Sequence, residues 1–330
     1  MTNHKPVWIG FDLGGTKMMC VVYDHDFRPL GKKRRKTKGM DGADAGLERI
    51  AKTIDEALLD ANVPVESLHG IGCGIPGPLD LEKGIILESP NLGWKNLKFQ
   101  EWLEARYKCP AVLANDVDAG TFGEYKFGAG KGGRCVLGVF PGTGIGGACV
   151  YEGKLLRGRN MSCMEIGHMQ VDPRGRICGC GRRGCLETVA SRLAIAADCA
   201  IAAYRGEAPA LLRLAGADLA GIRSGILALA INQGDTIVEE IVRQAARRIG
   251  ISIADVCNLL APDRIVLGGG LVEAMDKLFV EEVSQAIIRH AMKSFRKQAK
   301  VVPAQLGDDA GALGAAALAA DHVTSRPPTP

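Results

Sequence analysis

No stretch of this sequence approaches the roughly 18 consecutive apolar residues needed to span a bilayer. Met1 to Pro6 also lacks the apolar core of a secretory leader. A membrane protein is therefore not expected, and the reading is a cytoplasmic one. Charge of one sign is equally missing. The 41 Lys and Arg nearly balance 37 Asp and Glu, leaving +4, too little to imply a nucleic-acid partner. A disulfide framework is absent too: eleven cysteines is an odd number, and most sit singly in apolar runs such as Ile71-Gly-Cys73-Gly, as reduced thiols do. What the chain does hold is glycine, 43 residues gathered into a few loops, in a composition 47% apolar and 24% charged. That is a globular protein, at 330 residues long enough for two domains.

One cysteine group breaks the scattered pattern. Glu165-Ile-Gly-His168 is followed by Cys178-Gly-Cys180 and then Cys185-Leu-Glu187. His168, Cys178, Cys180 and Cys185 make a Cys₃His set, which suits tetrahedral Zn²⁺ better than the hard, oxygen-seeking cations. Gly179, Gly181 and Gly184 lie between them, where a backbone wrapping an ion needs unusual dihedral angles. Three unrelated thiols and a histidine are the plainer alternative. A fully protein-ligated zinc is usually structural, so this reads as a brace, and Glu165 and Glu187 at its edges point to a polar ligand site.

Val7–Phe11 and Met18–Tyr23 read as strands around Asp12-Leu-Gly14-Gly15-Thr16-Lys17. Such a turn can grip a phosphate through glycine N–H groups, the Thr16 hydroxyl and the Lys17 charge; an ordinary hairpin turn explains it equally. Lys32–Lys38, six basic residues in seven, fits a solvated edge strand better than a nucleic-acid patch. Helical spacing covers 43–62, and a strand at 68–75 runs into the rigid Pro76-Gly77-Pro78. Asn91 precedes Trp94. The strand Ala111–Ala114 ends in Asn115-Asp116, a place where open α/β sheets bind ligands. Asp116 there either deprotonates a substrate hydroxyl or merely caps the helix that follows to about Lys126.

Cys135–Phe140, Gly142-Thr143-Gly144-Ile-Gly-Gly147 and Ala148–Tyr151 repeat the strand, Gly-Thr turn, strand plan. A dinucleotide fold would need a helix after the glycines, and a β-rich run follows instead. Helices are expected at 187–205, 235–260, 275–295 and 308–321, and strands at 264–267 and 300–303. Gly268-Gly269-Gly270 reads as a loop against which a ribose or flat ring could lie.

These motifs resemble the ROK family of repressors and sugar kinases. Asp12-x-Gly-Gly-Thr-Lys17 is similar to its first phosphate motif, Gly142-Thr-Gly-x-Gly-Gly147 to the second, and Gly268-Gly-Gly270 to its adenosine loop. The segment from Glu165 to Glu187 resembles the family signature. The resemblance implies an α/β, duplicated actin-like (ribonuclease-H-like) ATPase fold, with two domains around an active-site cleft. The expected division is 1–116, completed by the helix 309–321, against 117–308, with 322–330 a disordered tail. It implies an ATP-dependent hexose kinase of the glucokinase type, a homodimer, using Mg²⁺ with ATP and a structural Zn²⁺. Asp116 would be the general base, and Gly77, Asn91, Asn115, Glu165, His168 and Glu187 would hold the sugar. Kinases of N-acetylhexosamines, fructose or mannose, and polyphosphate as donor, stay open. A sugar-responsive repressor would need a helix-turn-helix ahead of the first strand, and six residues precede Val7.

Overall fold

A computed structural model describes residues 5–38, 42–89, 92–159 and 162–325. In chain order the elements are β1 (Val7–Leu13), β2 (Lys17–Tyr23), β3 (Pro29–Lys36), α1 (Ala43–Ala61), β4 (Leu68–Ile75), β5 (Leu79–Asp80), β6 (Ile85–Ser89), β7 (Trp94–Leu97), α2 (Phe99–Tyr107), β8 (Ala111–Asn115) and α3 (Asp116–Phe127). There follow β9 (Cys135–Pro141), β10 (Ile145–Tyr151), β11 (Lys154–Leu155), α4 (Glu187–Ala190), α5 (Arg192–Tyr204), α6 (Pro209–Ala215), α7 (Ser224–Asn232) and α8 (Thr236–Leu260). The last are β12 (Arg264–Leu267), α9 (Gly269–Ala274), α10 (Asp276–His290), β13 (Lys300–Pro303) and α11 (Ala310–Ser325). Among the described residues no helix is long and apolar enough to cross a membrane.

The chain divides into two compact units. One holds Met1–Lys131, Leu155–Cys163 and Asp308–Pro330, and the other Gly132–Lys154 and Met164–Gly307. Each carries a five-stranded sheet of the same plan. In the first the order is β3-β2-β1-β4-β8, with β2 and β3 antiparallel and β4 and β8 parallel to β1. In the second it is β11-β10-β9-β12-β13, again with a hairpin (β9 and β10) leading into parallel β12 and β13. The basic run forms β3, at an edge of its sheet. A three-stranded antiparallel sheet, β5-β6-β7, and α2 arise between 79 and 107, where the sequence pattern predicts neither.

In the first unit, period-2 alternation sends Ile9, Phe11, Met18, Cys20 and Val22 to the face covered by Ile50, Ile54, Phe99 and Leu103. Trp8, Met19, Val21 and Tyr23 face the alanines of α11. That second face has no room for side chains at its centre. A methyl at Gly10 would lie 1.8 Å from the Ala312 carbonyl oxygen, and one at Gly72 1.8 Å from that of Ala315. Helix α3 approaches α11 as closely, since a methyl at Gly314 would stand 1.8 Å from the Ala119 carbonyl oxygen. This contact keeps α3 with the first unit, so the division falls at 131/132 rather than the expected 116/117.

Other boundaries differ for local reasons. The expected helix 187–205 is broken at Ser191, whose hydroxyl caps α5 by accepting from the Ala194 N–H. The helix expected over 275–295 ends at His290. Gly268–Gly270 is not a loop: Gly268 is the N-cap of α9, and the other two lie in its first turn. Helix α11 continues past 321 to Ser325, so 322–325 are helical rather than tail, and Val323 packs on the Trp8 cluster. In the second unit α8 buries Val238, Val242, Ala245, Ile249 and Ile253. Nearby, Glu282 of α10 holds Arg243 and Arg247 at 2.8 and 2.7 Å.

Gly72→Ala is expected to lower stability by about 3 kcal/mol or more, read as a shift in the urea midpoint. An unchanged midpoint would contradict the contact between α11 and the sheet.

Candidate active site

In the first unit the predicted residues gather at the carboxyl ends of parallel strands. Asp12, near the end of β1, pairs in register with Gly74 of β4, and Ile75 pairs with Asn115 of β8. Gly77 follows β4 at φ +104°. Asn115 is the N-cap of α3: its Oδ1 accepts the N–H groups of Val117 at 2.9 Å and Asp118 at 3.3 Å. The cap is therefore not Asp116, which opens the helix as its first residue. The two acids share a small space. A methyl built on Gly74 would lie 3.6 Å from Asp116 Cα and 3.9 Å from Asp12 Oδ1, and one on Gly311 would lie 3.1 Å from Asp12 Cγ. Burial, and then the Asp116 carboxylate, push the Asp12 pKa up to about 6 against the pull of Lys17. Paired carboxylate oxygens suit a hard divalent cation such as Mg²⁺ arriving with phosphates.

The first Gly-Thr turn is held by more than its own residues. The Gly14 N–H donates to the Lys17 carbonyl at 2.9 Å, so it is spent on closing the hairpin. Buried Thr37 pins the turn from the next strand, its N–H on the Thr16 carbonyl and its hydroxyl on that of Gly14 at 2.7 Å. Gly15 and Thr16 complete the turn. Lys17 does not stand alone: its Nζ is 3.0 Å from Asp308, which also binds Arg34 at 3.0 Å. Lys32 pairs with Asp309, and Arg35 with Glu56. With Lys33 3.9 Å from Asp60, four of the six cations of the basic run are answered within this unit.

In the second unit the turn Gly142-Thr143-Gly144 joins β9 to β10, closed by the Gly142 N–H on the Gly144 carbonyl at 2.8 Å. Gly268 lies at the matching end of β12, its N–H on the Val139 carbonyl at 3.0 Å. Gly269 takes φ +80°, and Gly270 continues the helix. The Glu165–His168 segment lies directly on β10. At Gly167 a methyl would fall 2.1 Å from the Ile145 carbonyl oxygen, so only glycine fits in Glu-x-Gly-His. Glu165 is exposed, its carbonyl accepting the His168 N–H at 2.9 Å.

The His168, Cys178, Cys180 and Cys185 donor atoms all lie within 4.8 Å of one another. Cys180 and Cys185 Sγ are 3.7 Å apart, and Cys178 Sγ is 3.6 Å from His168 Nδ1. Sulfurs about 2.3 Å from one tetrahedral centre stand about 3.8 Å apart, so the four donors fit a Zn²⁺ ion. Burial pushes the Cys178 thiol up to about 12, while the Arg182 N–H lowers Cys180. Nδ1 of His168 faces the sulfurs, and Nε2 is the other ring nitrogen. Glu187 links this cluster to the glycine turn. Its Oε1 is 2.8 Å from Cys178 Sγ, and a methyl on Gly144 would lie 2.8 Å from its Oε2.

Asn91 lies outside the described residues. Residues to which the sequence reading gives no site role are Thr37, Asp308, Gly311 and Arg192, although Asp308 and Gly311 belong to a segment that resembles the family. Thr37 lay hidden within the basic run, and Asp308 and Gly311 sit some 290 residues from the turn they serve. The alanine-rich helix they open was legible.

The ROK family model matches residues 8–322. The chain belongs to the ROK family. Its observed fold is the expected one, the family's actin-like ATPase fold in two domains. Over 314 residues it is 34% identical to a glucokinase of Streptomyces coelicolor, covering 94% of this chain and 96% of that one. A ROK glucokinase of Streptomyces griseus, solved in complex with glucose and AMPPNP, superposes with a TM-score of 0.81 at 33% identity, covering 96% of this chain and 99% of that one. The DNA-binding transcriptional dual regulator NagC of Escherichia coli is 32% identical over 282 residues, 82% of this chain and 67% of that one.

Asp12→Asn tests the crowding of the two acids. A folded-state pKa raised from 3.8 to about 6 means the native state holds a proton the unfolded chain has released. Stability is therefore lost as pH rises through that window, and the loss is complete above it. The Asn variant should match the parent below pH 4 and exceed it by up to about 3 kcal/mol at pH 7 in metal-free buffer. Equal stability at both pH values would remove the effect.

Proposed function

We propose that this protein is an ATP-dependent hexose kinase that phosphorylates the 6-hydroxyl of glucose, with Asp116 as general base. The observation that carries this is the placement of Asp116, the first residue of α3 rather than its N-cap, beside Asp12 at the carboxyl ends of β1, β4 and β8. Its Oδ1 also accepts the Val117 N–H at 2.9 Å. Similarity to the two Streptomyces glucokinases supports the substrate class.

Asp116 accepts the proton of the sugar hydroxyl as its oxygen attacks the γ-phosphorus. The bond to the β–γ bridging oxygen breaks, and ADP carries away the electron pair. Phosphoryl transfer of this kind depends on alignment and charge neutralisation more than on covalent help. Mg·ATP is the second substrate, and Asp12 would face its Mg²⁺. Once the two hairpins have used Gly14 and Gly142, the N–H groups of Gly15, Thr16, Thr143 and Gly144 are those offered to phosphoryl oxygens. Gly268, Gly269 and Gly270, at the start of α9, would present backbone to the adenosine. Gly77, Asn91, the amide nitrogen of Asn115, Glu165, His168 through Nε2, and Glu187 hold the sugar hydroxyls. Bound at His168, Cys178, Cys180 and Cys185, Zn²⁺ supplies fixed geometry rather than reactivity. The cysteines keep His168 and the neighbouring Glu187 from turning away from the sugar.

Steady-state assays over glucose, mannose, fructose and the N-acetylhexosamines with Mg·ATP should show glucose with the highest kcat/KM. Binding of a hexose with no turnover of any would point to a NagC-like sensor instead. Asp116→Asn should cut kcat by at least 10²–10⁴-fold with glucose affinity by calorimetry nearly unchanged, and near-normal kcat would remove Asp116 as base. Cys180→Ala should weaken glucose binding far more than binding of a non-hydrolysable ATP analogue, and should lower zinc per chain by elemental analysis. A zinc-free parent protein with full activity would end the proposal of a zinc brace.

A further inference from the structure

The two Gly-Thr turns differ in the cation each keeps. At the first, Lys17 is paired with Asp308 at 3.0 Å. At the second, the cation comes from a residue outside the motif. Ser191 breaks the helix after Glu187 and caps α5, so that Arg192 becomes the first residue of α5. Its backbone N–H donates to the Gly142 carbonyl at 2.8 Å, and its Nη2 donates to Thr143 Oγ1 at 2.9 Å. Among the described residues no carboxylate forms an ion pair with Arg192. A guanidinium has five N–H donors in a rigid fork suited to phosphate. Here a single side-chain donor is spent, on a hydroxyl of the turn itself.

We infer that Arg192 is a phosphate-binding residue, its guanidinium reading phosphoryl oxygens of the nucleotide held at Gly142-Thr143-Gly144. This rests on the nucleotide site proposed above and adds a residue to it. Thr143, whose oxygen accepts from Arg192, keeps its own hydroxyl hydrogen to donate outward, so the pair offers donors on one side of the turn. The net positive charge that the triphosphate needs comes from α5, since the motif lysine of the other turn is neutralised.

Calorimetry on the full chain separates the possibilities. Arg192→Ala should weaken a non-hydrolysable ATP analogue by about 10- to 100-fold, the range for loss of charge-assisted hydrogen bonds. Adenosine affinity and the KM for hexose should not move. Arg192→Lys, which keeps the charge, should recover part of the loss. Unchanged analogue affinity in a variant with the parent's melting temperature would overturn the inference. So would a double variant Thr143→Val/Arg192→Ala no weaker than Thr143→Val alone, since Arg192 would then act only by holding Thr143. If the parent phosphorylates no hexose, the kinase proposal fails, but the analogue and adenosine affinities still report on Arg192.

Discussion

The first unit depends on one helix lying against a sheet with no room for side chains at the centre of the contact. Alanines of α11 rest on Gly10 of β1 and Gly72 of β4, and Gly314 lets α3 close in from the side. Backbone this close cannot slide: a shift of one residue along α11 would bring side chains into positions with room for none. The consequence reaches the site at the start of the helix. Gly311 is fixed against the Asp12 carboxyl, and Asp308 is fixed within 3.0 Å of both Lys17 and Arg34. A packing constraint in the sheet centre thereby sets the electrostatics at its edge. Asp12 is crowded by Asp116 and by burial, and the proximity is tolerated because the rest of the unit over-determines it.

The second unit solves a similar problem with a break in a helix. A continuous helix from 187 to 204 would place Glu187 and Arg192 on faces set by a rise of about 1.5 Å per residue. The Ser191 cap interrupts that register. Glu187 then turns toward Cys178 and Gly144, while Arg192 turns toward Thr143. Both residues reach the same glycine turn from opposite sides of the break. Glu187 also touches the Cys₃His cluster, so the carboxylate is anchored by one rigid element and aimed at another. The short spacing from Cys185 to Glu187 to Arg192 packs a cysteine of the Cys₃His cluster, a carboxylate and a cation into eight residues.

Much of this was legible in the sequence where the signal is local. Strand and turn patterns repeat at Asp12–Lys17 and Gly142–Gly147, and both became the β hairpins that open the two sheets. The cysteine spacing foretold four converging donors. Local ambiguity was harder. Asn115 and Asp116 are both good caps and both accept the Val117 N–H at 2.9 Å; the Asp118 N–H, donated to Asn115, shows which one serves. The glycines of Gly268–Gly270 look like a loop because they have no propensity to contradict it, yet Gly268 faces the Phe140 ring and α9 starts there. The β5-β6-β7 sheet escaped notice because its strands are two to five residues long, too short for a period to declare itself. Contacts distant in sequence were invisible by nature. Nothing in Asp12-Leu-Gly-Gly-Thr-Lys17 says that its lysine will meet an aspartate 291 residues on.

That distant pairing changes what the first motif can do. A lysine beside a phosphate turn is usually credited with neutralising the phosphate, but an exposed ion pair is worth little in isolation, about 0–1 kcal/mol. Lys17 and Asp308 are both about half exposed, so the pair is easily parted. Its stability therefore cannot be the reason for it. Geometry can: Asp308 also holds Arg34, and Arg34 approaches Asp309, which binds Lys32. Two cations of the edge strand β3, Lys32 and Arg34, are thus referred to the start of α11, while Lys33 and Arg35 turn to Asp60 and Glu56 of α1. Lys17 shares Asp308 with Arg34. A phosphate competing for Lys17 would release Asp308 to Arg34 rather than leave it unpaired. The first turn is then charge-balanced before a nucleotide meets it, whereas the second carries the charge of Arg192, which no carboxylate among the described residues answers. Two turns built from the same motif are electrostatically unlike, and the difference lies in residues that neither motif contains.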